Sequence, residues 1–148
     1  MGEQRTETRG AAETEAIGAR LAETLSPGDV VVVSGDLGAG KTTLIRGAAR
    51  ALGVTEPVTS PTFTIGRRYT GGRLPISHLD LYRLEDIEAE DPVLIEDYLG
   101  GDGVAFVEWP AVGIDRLGRP AIEVRLEHAG EERRTIEIVG RSTNSIIG

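Results

Sequence analysis

The sequence has no cysteine and a single lysine among its 148 residues. The absence of cysteine excludes a disulfide framework, a thiolate nucleophile and a cysteine-ligated metal site, and it favours a reducing compartment. Apolar runs are short: the four valines at residues 30–33 fall far below the ~18 residues that a membrane span requires. The N-terminus also lacks the basic and apolar regions of a secretory signal. We therefore expect a cytoplasmic protein that does not associate with a membrane.

Basic residues are outnumbered by acidic ones. Sixteen Lys and Arg stand against 24 Asp and Glu, which gives a net charge of −8. Proteins that bind nucleic acid on their own do so through a basic surface, so this balance argues against that class. Nine acids and one base lie within residues 80–102, which accounts for the whole net charge. This acidic segment is either a solvated helix face or a docking surface for a basic partner.

The first half of the sequence has the pattern of an α/β unit. Apolar residues recur at helical spacing within residues 12–25, and the valines at 30–33 predict a strand that is buried on both faces. A glycine-rich loop at 35–40 follows this strand, and residues 41–52 predict a second helix. Gly53 is placed to end that helix.

The second half is predicted to be mainly β-structure. Residues 63–69 and 74–82 alternate in polarity and are joined by a glycine-containing turn, which predicts a hairpin. Residues 104–107 form a short apolar strand. Residues 120–127 and 133–139 alternate again, and we expect them to pair as a second hairpin.

One motif is a highly specific indicator of function. Residues 35–42, GDLGAGKT, fit the phosphate-binding pattern G-x-x-x-x-G-K-[ST] in full, between a buried strand and a helix. Glycines allow the backbone N–H groups to surround a phosphate, and the helix N-terminus adds partial positive charge. Lys41 can reach the β- and γ-phosphates, and the hydroxyl of Thr42 can bind Mg²⁺. The motif predicts a magnesium nucleoside triphosphate site.

Such a site also needs a carboxylate at the end of a neighbouring strand, and two residues can supply it. Glu108 ends one apolar strand, and Asp80 lies on another, where it shares a face with His78 and Tyr82. One carboxylate would hold the metal and the other would orient the attacking water; spacing does not decide which, and Asp80 could instead pair with an arginine. His78 and His128 are far apart in the sequence, and we interpret each as structural.

Two further features lie near these motifs. In the Ser60-Pro61-Thr62 loop, Thr62 offers a hydroxyl that could sense the γ-phosphate, although the loop could also be a simple turn. Trp109 directly follows Glu108. It would flank the nucleotide site or lie in the core.

Four motifs together resemble one known family. GDLGAGKTT, SPTF, HLDLYR and VEWP occur in the order and approximate spacing of the TsaE family, formerly called YjeE. Its members are the ATPases of bacterial threonylcarbamoyladenosine tRNA modification. The resemblance extends over about residues 10–140, and four motifs are far more specific than the phosphate loop alone.

The resemblance implies a single-domain, P-loop NTPase-like α/β fold with a small mixed sheet and flanking helices. Residues 1–10 are polar, and we expect them to be loose. The resemblance implies an ATPase domain at 11–140, followed by a C-terminal tail at 141–148. It further implies binding of ATP and ADP with Mg²⁺, weak intrinsic hydrolysis and assembly with the proteins TsaD and TsaB. The protein would then act as a nucleotide switch on that transferase complex and would reach tRNA only through its partners.

The same resemblance implies roles for individual residues. Lys41 would bind phosphate, Thr42 and Glu108 would bind Mg²⁺, Asp80 would position water, and Thr62 would be the switch residue. The remaining residues implied to contact nucleotide are Thr14 near the base, the loop residues Asp36, Leu37, Gly38, Ala39, Gly40 and Thr43, and Trp109.

Two other functions are compatible with the phosphate loop. A small-molecule kinase would need an arginine-bearing lid, for which Arg67 and Arg68 are the clustered candidates. A non-catalytic nucleotide-binding module would need Lys41 but neither carboxylate. The sequence also departs from the usual family pattern at Glu90-Asp91-Pro92, where the partner surface would differ.

Overall fold

Seven strands and two helices are seen in the computed structural model, which describes residues 2–35, 40–58, 66–80, 102–108 and 122–140. The elements in chain order are β1 (Gly2–Thr8), α1 (Ala11–Glu23), β2 (Val30–Gly35), α2 (Lys41–Ala51), β3 (Gly66–Tyr69), β4 (Ile76–Asp80), β5 (Val104–Glu108), β6 (Ile122–His128) and β7 (Arg134–Gly140). Neither α1 nor α2, the helices of the described residues, has the length and apolar character needed to cross a bilayer.

All seven strands belong to one mixed sheet, in the order β1-β7-β6-β2-β5-β4-β3. The four central strands β6, β2, β5 and β4 are parallel, and antiparallel strands complete both sides. The valine-rich β2 lies in the middle because its side chains are buried on both faces, as the apolar run predicted. The predicted mixed α/β fold is therefore confirmed, and so are both hairpins, β3–β4 and β6–β7.

The two helices approach each other very closely. A Cβ added to Gly18 would lie 2.0 Å from the carbonyl oxygen of Leu44, and one added to Gly47 would lie 2.0 Å from that of Glu15. Only glycine permits such backbone contact. The crossing holds the middle of α1 against α2, which begins at the phosphate-binding motif.

The expectation of a loose N-terminus is wrong for residues 2–8. These residues form the edge strand β1, which pairs with β7 from Gly2↔Gly140 to Thr8↔Arg134. The segment is polar throughout and has no apolar alternation to reveal a strand, because backbone hydrogen bonds to β7 provide the pairing. The predicted C-terminal tail, residues 141–148, lies outside the described residues, as does most of the acidic segment, residues 81–101.

Candidate functional site

The candidate site lies where the parallel strands end. β2 leads into the phosphate-binding motif, and its Val33 is in register with Glu108 of β5. Glu108 is in turn in register with Asp80 of β4. The carboxyl ends of three neighbouring parallel strands thus bring the motif and both candidate carboxylates to one edge, the usual location of ligands in α/β sheets.

Two glycines of the motif are required by the backbone. Gly35 has φ +144°, and a Cβ there would lie 2.1 Å from the carbonyl oxygen of Leu126 on β6. Gly40 has φ +100° and caps α2, with its carbonyl accepting a 2.9 Å hydrogen bond from Leu44 N. Both φ values lie in the region that favours glycine. The motif therefore leads from β2 to the N-terminus of α2, a position where backbone N–H groups and the helix dipole favour an anion.

Lys41, the single lysine, is buried at this turn, with 5% of its surface exposed. Its Nζ donates a 3.2 Å hydrogen bond to the carbonyl oxygen of Gly35. The ammonium group therefore lies against the end of β2 rather than extending into solvent. Thr42 and Thr43, which follow it in the first turn of α2, are both partly exposed.

Glu108 is almost fully buried and contacts His78. Its Oε2 lies 2.5 Å from Nε2 of His78, and the two side chains are 3% and 0% exposed. His78 was interpreted as structural, and its contact with Glu108 was missed. The sequence feature that could have indicated this contact is that His78 and Asp80 share a face of one strand. Asp80 itself is half-buried beside Glu108.

A cavity of about 220 Å³ opens next to the phosphate-binding motif. It is lined by Gly10, Ala11, Thr14, Gly40, Thr43, Glu132 and Arg134. The cavity thus joins α1, α2 and the tip of the β6–β7 hairpin, and it brings Thr14 close to the motif. Thr14 is buried, and its Oγ1 lies 2.8 Å from Oγ1 of Thr8. Sequence analysis missed Glu132 and Arg134, because no local pattern relates a hairpin tip to a loop about 90 residues earlier.

Several residues implied by the family resemblance lie outside the described residues. They are the loop residues Asp36, Leu37, Gly38 and Ala39, the switch candidate Thr62, and Trp109. Their roles remain predictions. The described residues still include both ends of the phosphate-binding motif, Thr14 and both carboxylates.

The oxygen donors at this edge fit Mg²⁺. In nucleotide sites Mg²⁺ is held by one or two protein oxygens together with phosphate oxygens and water. A hydroxyl from Thr42 and a carboxylate from Glu108 offer that number of hard oxygen ligands. Lys41, on the same turn, has the charge needed for the accompanying phosphates.

Comparisons with known proteins point to one family. The family model for the threonylcarbamoyl adenosine biosynthesis protein TsaE matches residues 8–136. The tRNA threonylcarbamoyladenosine biosynthesis protein TsaE of Bacillus subtilis is 44% identical over 124 residues, 84% of this chain and 77% of that protein. The protein of the same name from Nostoc sp. is 48% identical over 129 residues, 82% of this chain and 76% of that protein.

A solved structure has the same fold. The crystal structure of Bacillus subtilis YdiB superposes with a TM-score of 0.79 at 33% sequence identity, covering 97% of this chain and 89% of that one. The family match spans both the motif and the carboxylate-bearing strands. The chain therefore belongs to the TsaE family, whose members act in the biosynthesis of threonylcarbamoyladenosine in tRNA.

Proposed function

We propose that this protein binds ATP with Mg²⁺ at the carboxyl edge of its sheet, hydrolyses it slowly and acts as a nucleotide switch on the TsaD–TsaB transferase complex. The observation that carries the proposal is the turn from β2 into α2: Gly35 and Gly40 adopt positive φ around the buried Lys41. No ordinary core needs a buried ammonium group at a helix N-terminus. A polyphosphate would supply the anionic partner that this position favours.

The residues around Lys41 would have separate roles in this site. Thr42 and Glu108 would hold Mg²⁺, which supplies charge neutralisation at the phosphates when it is bound. Asp80, one strand further from the motif, is then the carboxylate available to orient water. The cavity beside Thr14 would accept the nucleoside. This division is the one that the family resemblance implies, whereas spacing in the sequence left the two carboxylates equivalent.

Nucleotide binding is tested by calorimetric titration of ATP into the Lys41→Ala variant. We expect an affinity loss of about 10- to 100-fold, because hydrogen bonds to charged groups contribute about 1.5–3 kcal/mol. Arg50→Ala is the matched control: it removes one positive charge from the exposed end of the same helix and should leave the affinity unchanged. Equal affinities for wild type and Lys41→Ala would overturn the proposed site.

The switch role is tested by reconstitution with TsaD and TsaB. Repeated rounds of tRNA modification should require this protein, ATP and Mg²⁺. Glu108→Ala should reduce Mg²⁺-dependent turnover more than nucleotide binding without Mg²⁺. Full activity of both the Asp80→Ala and the Glu108→Ala variant would instead favour the non-catalytic binding module.

The structure does not favour the kinase alternative. Arg67 and Arg68 lie in β3, paired in register with His78 and Ser77 of β4, rather than in a separate lid. The guanidinium of Arg67 also lies 5.6 Å from the ring centroid of Tyr69. Transfer of the γ-phosphate to a metabolite rather than to water would restore that alternative.

A further inference from the structure

We propose that His78 is a positioning residue for Glu108: its ring holds one carboxylate oxygen so that the other is presented to Mg²⁺. This inference rests on the proposed function, because it assigns Glu108 a metal. It rests on the contact between Nε2 of His78 and Oε2 of Glu108, at 2.5 Å and almost fully buried.

The strand register explains how the ring reaches the carboxylate. Asp80 is the residue opposite Glu108, and His78 is opposite Phe106, two residues further into the sheet. His78 and Glu108 therefore lie diagonally on one face of neighbouring parallel strands. The ring therefore contacts the Glu108 carboxylate from the interior of the sheet. The side of the carboxylate nearer the strand ends faces the phosphate-binding edge.

The hydrogen-bond partners of the two ring nitrogens show which nitrogen of His78 carries the proton. Nδ1 of His78 is buried and has no hydrogen-bond partner within the described residues. A proton on Nδ1 alone would bury an unpaired N–H and set two acceptors, Nε2 and Oε2, against each other. A proton on Nε2 avoids both costs, since it donates to Glu108 and leaves only a lone pair at Nδ1.

Glu108 depends on this bond for its geometry. Within the part of the chain that the structure describes, His78 is its hydrogen-bond partner, and the carboxylate has almost no solvent contact. A glutamate side chain has several rotamers, and fixing one of them costs conformational entropy. Because the His78 ring is itself immobilised in the core, its contact fixes the Glu108 rotamer when the protein folds, so this entropy is not lost when a ligand binds. Outer partners of this kind typically change metal affinity by about 10- to 100-fold when removed.

The test compares two substitutions of nearly the same shape. His78→Gln keeps an N–H donor near the position of Nε2, whereas His78→Met has similar length and no donor. The measured quantity is the Mg²⁺ enhancement, defined as the ADP dissociation constant in EDTA divided by that in saturating Mg²⁺. Thermal unfolding of both variants reports on folding, and His78→Asn, whose amide is too short to reach Glu108, replaces His78→Met if that variant does not fold.

We expect His78→Met to lower the Mg²⁺ enhancement about 10-fold while the affinity in EDTA changes less than about 2-fold, and His78→Gln to retain most of the enhancement. In a Glu108→Ala background the two His78 variants should not differ, because His78 acts through Glu108. Equal enhancement in His78→Met and wild type, or equal loss in Met and Gln variants, would refute the positioning role alone. Absence of Mg²⁺-dependent binding in the wild type would overturn the proposed function as well.

Discussion

The contact between the two helices makes a quantitative prediction about Gly47. A Cβ at this position would lie 2.0 Å from the carbonyl oxygen of Glu15 and 2.7 Å from its carbonyl carbon and Cα. Ordinary van der Waals contact begins near 3.4 Å. The Gly47→Ala variant therefore needs a separation of about 1.4 Å between α1 and α2, and both obstructing groups are backbone, which cannot rotate away.

The steric cost of the Gly47→Ala substitution can be compared with its gain in helix propensity. Alanine favours a helix interior over glycine by about 1 kcal/mol. Forcing an extra methyl into a well-packed contact costs about 1–3 kcal/mol, and a backbone clash belongs at the upper end. We expect Gly47→Ala to lower the free energy of unfolding by about 2 kcal/mol. For a domain of this size the melting temperature should fall by about 4–8 °C.

Urea and thermal unfolding measure this difference, with two controls. Gly71→Ala adds a methyl where nothing lies within 4 Å, so its stability should match the wild type. Ala16→Gly, at an exposed position of α1, measures the helix propensity contribution with the opposite sign. If Gly47→Ala were as stable as Gly71→Ala, the close helix crossing would be wrong. Because α2 begins at the phosphate-binding motif, ATP affinity of Gly47→Ala should also fall.

Two further predictions concern buried groups beside the cavity and the motif. Thr8→Val and Thr14→Val should each lower the free energy of unfolding by about 1–3 kcal/mol, since each leaves a buried hydroxyl without its 2.8 Å partner. The double variant should lose clearly less than the sum, and additive losses in urea unfolding would contradict the pairing. Gly35→Ala should abolish ATP binding because its Cβ would meet the Leu126 carbonyl oxygen at 2.1 Å, whereas Gly130→Ala, which has φ +157° but no atom nearer than 3.6 Å, should bind normally. Normal binding by Gly35→Ala would refute that account of the turn.

Local patterns in the sequence predicted the elements that carry the motif. The valine run, the glycine-rich loop and the helix from Lys41 follow from burial and backbone preferences within a few residues. The two hairpins follow from alternation and turn residues. The proximity of Asp80 and Glu108 could also be predicted from the sequence, because the carboxyl ends of neighbouring parallel strands lie at the same edge of a sheet.

Contacts between distant segments could not be predicted in this way. His78 and Glu108 are 30 residues apart, and their contact depends on the register between β4 and β5, which no local pattern sets. The edge strand β1 has only polar residues, so its pairing with β7 left no hydrophobic signal. Arg134 reaches the cavity only because β7 carries it to the end of β1.

The distribution of buried polar groups argues that this edge is the functional one. The buried polar residues of the described chain are Thr8, Thr14, Asp29, Lys41, Ser77, His78 and Glu108. Asp29 and Ser77 lie away from the motif, but the other five surround it or its cavity. Burying such groups costs stability unless each has a partner, and a core of valine and isoleucine would avoid the cost. A fold that buries an ammonium group at the start of α2, a carboxylate at the end of β5 and an imidazole two residues before the end of β4 has given up stability in favour of a preorganised polar site.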